Sequence, residues 1–214
     1  MICAYDKVYL DKARTSLGRM LDFAVYDLQY ASTEFFELFI RSGIATRFES
    51  GDFTLLVGMS GVELAYKVLE QSGIVYRRVK PNYTMNRSEE FWTGWALAYY
   101  QWATSMSFAE IVRYVPIPEI IALYSAYHEM DIRQFVDKMN ELYRAAKPET
   151  NLKLIRKKAG LSQRALAELT GIPLRTIQQY EQRQKNINKA QTEYLIKLSR
   201  ALCCTVEDFI EKTE

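Results

Sequence analysis

Apolar residues in this chain recur at intervals of three and four, and very little interrupts them. Leu10, Leu17, Met20, Leu21 and Val25 make one such run. Phe35, Phe36, Leu38, Phe39 and Ile40, then Val62, Leu64, Ala65, Val68 and Leu69, then Ile132, Phe135, Val136, Met139, Leu142 and Tyr143 make others. That spacing puts one apolar face on a helix and cannot line the face of a strand, whose side chains alternate. Nine glycines and five prolines in 214 residues leave too few turn formers for a sandwich or barrel of many short strands. An all-α fold is the expectation. Ser32, Ser60, Ser88, Ser107 and Asp131 stand where helix N-caps belong, and Gly43 and Gly73 follow periodic runs as stops. Gly73 to Asn86, with Val75, Tyr76 and Val79 near Pro81, reads as a long loop or a short hairpin.

The chain is not uniform along its length. Of its 28 aromatic residues only Tyr180, Tyr194 and Phe209 fall after position 146, so the first part has a heavy core of its own. Charge divides at the same place. Residues 147–214 hold 13 basic and 8 acidic residues, and residues 1–146 hold 15 and 18. Within 151–200 the balance is 11 basic to 3 acidic, the profile of a module that meets phosphate. The reading is therefore two domains, a helical domain over 1–146 with a core suited to interaction and a basic, phosphate-meeting domain over 151–214, joined by the polar linker 147–150.

The composition also disfavours several functions. One histidine, His128, and three cysteines, Cys3, Cys203 and Cys204, are too few for a Cys/His metal site or a paired imidazole relay. No phosphate-cradling glycine loop or paired-carboxylate constellation stands out, so no catalytic residue, cofactor or metal is expected and the chain reads as a non-enzyme. An odd cysteine count with two adjacent thiols suits a reducing compartment. No run of 18 apolar residues occurs, and the opening M-I-C-A-Y-D-K-V-Y-L lacks an apolar export core, so a cytoplasmic protein without a membrane role is expected.

The tail is legible residue by residue. Leu152, Ile155 and Arg156 share one side of a first helix that Gly160 stops. Ser162 can cap a second helix with Leu166, Ala167 and Leu169 inward, Gly171 closes it, and Pro173 suits the first position of a third. On that third helix Ile177 and Tyr180 point one way. Arg175, Gln178, Gln179 and Gln182, at i, i+3, i+4 and i+7, form a stripe that is polar yet almost uncharged. Surface helices ordinarily carry Glu and Lys. Glutamine pairs bidentately with adenine and arginine with guanine in the major groove, so the stripe suits base reading. Gln163 with the backbone N–H groups opening the second helix, and Arg183, Lys185 and Lys189 in the loop that follows, would meet phosphate.

The string R-K-K-A-G-L-S-Q-R-A-L-A-E-L-T-G-I-P-L-R-T-I-Q-Q-Y-E, followed by L-I-K-L-S-R-A-L-C-C-T-V-E-D-F, resembles the phage-repressor-like (XRE) helix-turn-helix family over residues 151–212. The resemblance implies a five-helix fold, a structural ion pair between Arg156 and Glu181, and DNA contacts from Gln163, Leu174, Arg175, Gln178 and Gln179. Two positions depart from the family. A glycine belongs where Arg183 stands, which would alter the loop or lengthen the recognition helix. A small turn residue belongs where Cys203 stands, read here as a small buried thiol, with a redox sensor as the other possibility.

Elsewhere the readings stay open. Residues 107–124 echo 162–180 at an offset of 55, which is a second helix-turn-helix or common helical patterning. Trp92, Trp95, Tyr99 and Trp102 share one helix face, with Gly94 permitting a close approach, and form either a core stripe or a partner or dimer seam. His128 is a structural residue or a titrating one. The strings D-K-A-R-T-S-L-G-R-M-L-D-F-A, G-M-S-G-V-E-L-A and F-W-T-G-W-A-L-A-Y-Y-Q-W are similar to regulators encoded beside small bacterial toxins. That similarity implies an antitoxin-type repressor: a homodimer whose tail binds double-stranded operator DNA while its body binds a toxin. The alternative is a toxin-neutralising module in which DNA binding is secondary or absent.

Overall fold

The computed structural model describes residues 3–82 and 87–211. Among them every regular element is helical, and the chain divides into two compact units, Met1–Ala146 and Lys147–Glu214. The first unit runs through α1 (Leu10–Tyr26), α2 (Ser32–Arg41), α3 (Ile44–Glu49), α4 (Phe53–Leu56), α5 (Gly61–Gln71), α6 (Glu89–Thr104), α7 (Phe108–Tyr114), α8 (Ile117–Ala122), α9 (Tyr124–Tyr127) and α10 (Ile132–Ala146). The second holds α11 (Asn151–Lys158), α12 (Gln163–Thr170), α13 (Leu174–Glu181) and α14 (Thr192–Leu202), with 3₁₀ turns at Ile187–Lys189 and Glu207–Phe209. The last of these stands where the family pattern implies a fifth helix. There the chain closes on the core through buried Phe209, with Cys204 and Val206 half-buried beside it.

The first unit is organised around α1 and α6, which run antiparallel. Leu10 clusters with Trp102, Arg14 stacks on Trp95 and Tyr99, Gly18 faces Gly94, and Asp22 accepts a hydrogen bond from Ser88 Oγ at 2.6 Å. The crossing is backbone against backbone. A Cβ on Gly94 would lie 2.6 Å from Leu17 O and 2.9 Å from Gly18 Cα, and one on Gly18 would lie 2.6 Å from Phe91 O. Gly61, the first residue of α5, meets the other side of α1 in the same way, 2.5 Å from Ser16 O. Any side chain at these positions pushes the helices apart, which is the use of glycine here. Gly61 follows a capping box in which Ser60 and Glu63 bond each other's backbone N–H groups.

Around this centre, Phe36, Phe39, Phe48 and Phe108 from α2, α3 and α7 meet with ring centroids 5.4–6.1 Å apart, all at most 1% exposed. Trp92 sets its ring edgewise to Tyr124 and Phe135, closing α6 onto α9 and α10. The aromatic stripe of α6 is thus a core stripe. Trp92 and Trp102 are buried, Trp95 and Tyr99 lie under the Arg14 guanidinium, and Trp102 Nε1 donates to Tyr5 O at 2.8 Å. Trp95 and Tyr99 stay half-buried, the part of the stripe nearest to solvent.

Several local expectations are corrected. Ser32 is the first helical residue of α2, and its cap is Ala31, which offers no side-chain bond. The echo at 107–124 forms two helices, but α7 packs on α3 and α10 while α8 packs on α2 and α6. The connecting Val115 is extended, where Gly171 makes a left-handed turn between α12 and α13, so the second motif is not built. Residues 74–82 form no strand. Two of their β-formers are held by α5, since Tyr76 stacks on Tyr66 at 4.9 Å and Val79 N donates to Tyr66 Oη at 2.9 Å, while Val75 stands in solvent. The rest of the expected hairpin, residues 83–86, lies outside the described residues. His128 is exposed, stacks on Tyr124, and its Nδ1 lies 2.9 Å from Tyr124 O.

The polar stretch before α11 is not a slack tether. Thr150 is 2% exposed and caps α11 through Lys153 N, and Glu149 bonds both Lys153 Nζ (2.8 Å) and Lys157 Nζ (2.6 Å). Those two ammonium groups hold the Glu149 carboxyl down at about 2. Because this pKa lies below that of the unfolded chain, the interaction is complete above about pH 4.5 and fades as pH falls toward 2. A side-chain NMR titration should place the Glu149 midpoint near 2, and Lys153→Ala with Lys157→Ala should return it to the ordinary glutamate range. For the α1–α6 crossing, Gly94→Ala should lower stability in urea unfolding by about 3 kcal/mol, the upper end of what overpacking costs, with Gly18→Ala comparable.

Candidate nucleic-acid interface

None of α11, α12 and α13 exceeds eight residues, which is too short to persist alone in water. Their positions depend on a shared core of Leu152, Leu166, Ile172, Ile177, Tyr180, Leu195, Leu198, Leu202 and Phe209. Ser162 Oγ caps α12 by accepting from Ala165 N at 3.0 Å. Gly171, at φ +69°, ends α12, and its N–H reaches Ala167 O at 2.8 Å. Thr170 Oγ1 accepts from Ile172 N, and the chain then enters α13 through Pro173. Pro173 is the N-cap of α13, one position earlier than the sequence suggests.

A buried ion pair joins the first and third of these helices. Arg156 Nε donates to Glu181 Oε1 at 2.6 Å and its second terminal nitrogen to Oε2 at 2.8 Å, with the side chains 9% and 1% exposed. The remaining guanidinium nitrogen donates to Leu161 O at 2.7 Å. Gln163 Nε2 adds a third donor to Glu181 at 2.7 Å. Every lone pair and proton of consequence is therefore used, the condition under which a buried pair is tolerated. Glu181 in turn holds the Arg156 guanidinium above its usual pKa.

With Ile177, Tyr180 and Glu181 turned inward, α13 presents its other side. Arg175 and Gln182 are exposed, and Leu174, Gln178 and Gln179 are half-buried along the same flank. Gln163, at the first position of α12, stands between the ion pair and this flank, with its amide N–H engaged by Glu181. Arg164, exposed in the same first turn, is a cation that the glutamine stripe does not draw attention to. The signal for it is adjacency to Gln163 just after a cap residue.

The end of α13 settles the loop question raised by Arg183. The helix stops at Glu181, Arg183 takes φ +56°, Arg183 N bonds Tyr180 O, and Gln184 N bonds Gln179 O. This is the paired hydrogen-bond pattern of a Schellman stop, with arginine in the place glycine favours. The helix is not lengthened. The expected phosphate role of Arg183 meets a different geometry, because its Nε donates to Glu211 at 3.0 Å and a terminal nitrogen to Pro148 O at 2.8 Å. The left-handed backbone turns the side chain back onto the domain's two ends. Lys185 and Lys189 remain exposed in the loop.

Cys203 likewise takes φ +51° at the end of α14, and it is exposed. The expectation of a buried thiol fails because a left-handed cap residue points its Cβ away from the helix. Cys204 is the one packed against the core, and burial pushes its thiol pKa up, away from the reactive range.

Residues 152–209 match the family model described as Helix-turn-helix. The C-terminal unit is accordingly a helix-turn-helix domain of the XRE type, the domain of DNA-binding transcription regulators. Neither a curated protein nor a solved structure matches the chain. No helix among the described residues is long and apolar enough to cross a membrane.

Removing one member of the buried pair leaves the other charge without compensation. Arg156→Met should cost about 3–5 kcal/mol in urea unfolding, whereas Arg156→Met combined with Glu181→Leu should recover most of that stability.

Proposed function

We propose that this chain is a sequence-specific transcriptional repressor that reads its operator with Arg175, Gln178, Gln179 and Gln182, with Leu174 making apolar contact. The observation that carries the proposal is the flank of α13, an almost uncharged donor-and-acceptor row turned outward by a helix whose other side is fixed by the Arg156–Glu181 pair. Amide and guanidinium groups match the paired edges of adenine and guanine in the major groove. Gln163, Arg164, Lys185 and Lys189 border that flank and would meet phosphates, which set register without selecting sequence. A homodimer would place two such helices on half-sites about 34 Å apart. The first unit, with its separate core, is the part that would take a protein partner. The similarity of its three strings to toxin-linked regulators supports an antitoxin role for it.

The test is a titration against duplexes that the chain itself selects from a randomised pool. Arg175→Ala should cost about 1–3 kcal/mol and relax preference at one base pair. Lys185→Ala should weaken all sequences alike and flatten the salt dependence. Unchanged base preference in Arg175→Ala would place the reading face elsewhere.

A further inference from the structure

Between Glu70 and Glu89 the chain has no acidic residue and four basic ones, Arg77, Arg78, Lys80 and Arg87. The rest of the first unit holds 11 basic against 18 acidic residues, so this segment is a local reversal of sign and not part of a generally basic surface. The segment also has a built conformation. Tyr76 is stacked on Tyr66, Val79 N is bonded to Tyr66 Oη, Asn82 N to Asp27 Oδ1 at 2.9 Å, and Asn82 O accepts from Arg19 at 2.7 Å. Arg78 lies over the Tyr66 ring, its centre 5.6 Å away, and interacts with the Glu63 and Glu70 carboxylates of α5, which leaves Arg77 and Lys80 as the cations without an acidic neighbour along the segment. Held at these points on α1 and α5, the backbone presents Arg77, Arg78 and Lys80 to solvent in fixed order, with Arg87 exposed at the foot of α6. Val75 beside them is 98% exposed.

The structure assigns residues 77–80 with Arg87 as a second binding site for the sugar-phosphate backbone of duplex DNA, supplied by the first unit and separate from the helix-turn-helix domain. Three features favour that ligand. A phosphate backbone is a regular row of anions, and a basic segment whose backbone is already pinned meets such a row with only its side chains left to order. The segment offers cations without amides in a reading position, which is the chemistry of backbone contact and not of base selection. Duplex DNA is also the polyanion for which the other unit is built, and in that respect the inference rests on the reading under Proposed function.

The salt dependence of binding separates the two. With the full chain and a selected duplex, the slope of log K against log salt should fall by about 0.9 for every phosphate that a variant no longer neutralises. Arg77→Ala and Lys80→Ala should each lower it by about that amount and the double variant by about twice as much, with base preference unchanged. Arg133→Ala, an exposed cation on α10, should leave the slope as it was. Arg77→Glu with Lys80→Glu should weaken binding further than the alanine pair. A slope unaffected by the loop variants, while Arg175→Ala still relaxes base preference, overturns the second site and leaves the reading helix standing. The basic segment would then serve an acidic protein surface. Absence of any salt-sensitive affinity of the full chain for duplexes overturns both. Circular dichroism melts identical to the parent chain establish that the variants are folded, as expected for side chains that stand in solvent.

Discussion

The geometry of the C-terminal unit depends on one buried ion pair. Arg156 comes from α11 and Glu181 from the last turn of α13, and the two-pronged contact fixes the distance and the rotation between those helices together. A hydrophobic contact would tolerate a slide of about an ångström, but a planar guanidinium on a planar carboxylate does not. The net contribution to stability is small, because both charges leave water to make it. Its consequence is registry: once Glu181 faces inward, the helical period of about 3.6 residues carries Arg175, Gln178, Gln179 and Gln182 to the opposite flank. Gln163 ties the start of α12 to the same carboxylate, so three helices that could not persist singly share one anchor.

The first unit solves its packing problem by different means. Its core is aromatic, and its central helices touch through glycine, so close approach and large rings alternate: Gly18 and Gly94 bring α1 and α6 together, and the phenylalanine cluster fills the space that α2, α3 and α7 enclose. Arg14 lies on the flank of α6 against Trp95, its ring centroid 3.3 Å away, which covers part of a row of indole and phenol faces. Outside the basic stretch at 77–87 the unit's sequence is acidic on balance, with 11 basic and 18 acidic residues.

Much of this was legible beforehand, and unevenly. Helix type, the caps at Ser60, Ser88, Ser107 and Ser162 and the turn at Gly171 follow from local chemistry, since the responsible groups lie within four residues of one another. The Gln/Arg stripe was visible because one helix carries all of it. The Arg156–Glu181 pair, 25 residues apart, was reachable only through family resemblance. The side-chain directions of Arg183 and Cys203 are not legible in the sequence, because each is a left-handed residue with a side chain. The backbone there keeps the turn glycine would make, and the side chain's direction follows from φ, which residue type does not disclose.

The sequence by itself determined the helical class, the change of character near residue 147 and the face of α13 that carries almost no charge, because periodicity and composition are properties of neighbours along the chain. Only the tertiary structure decided that Trp95 and Tyr99 lie covered by Arg14, that the echo at 107–124 is two unrelated helices, and that Arg183 reaches back to Glu211 and Pro148. Each of these depends on which distant segment occupies the adjoining space, and such proximity arises from packing the whole core at once.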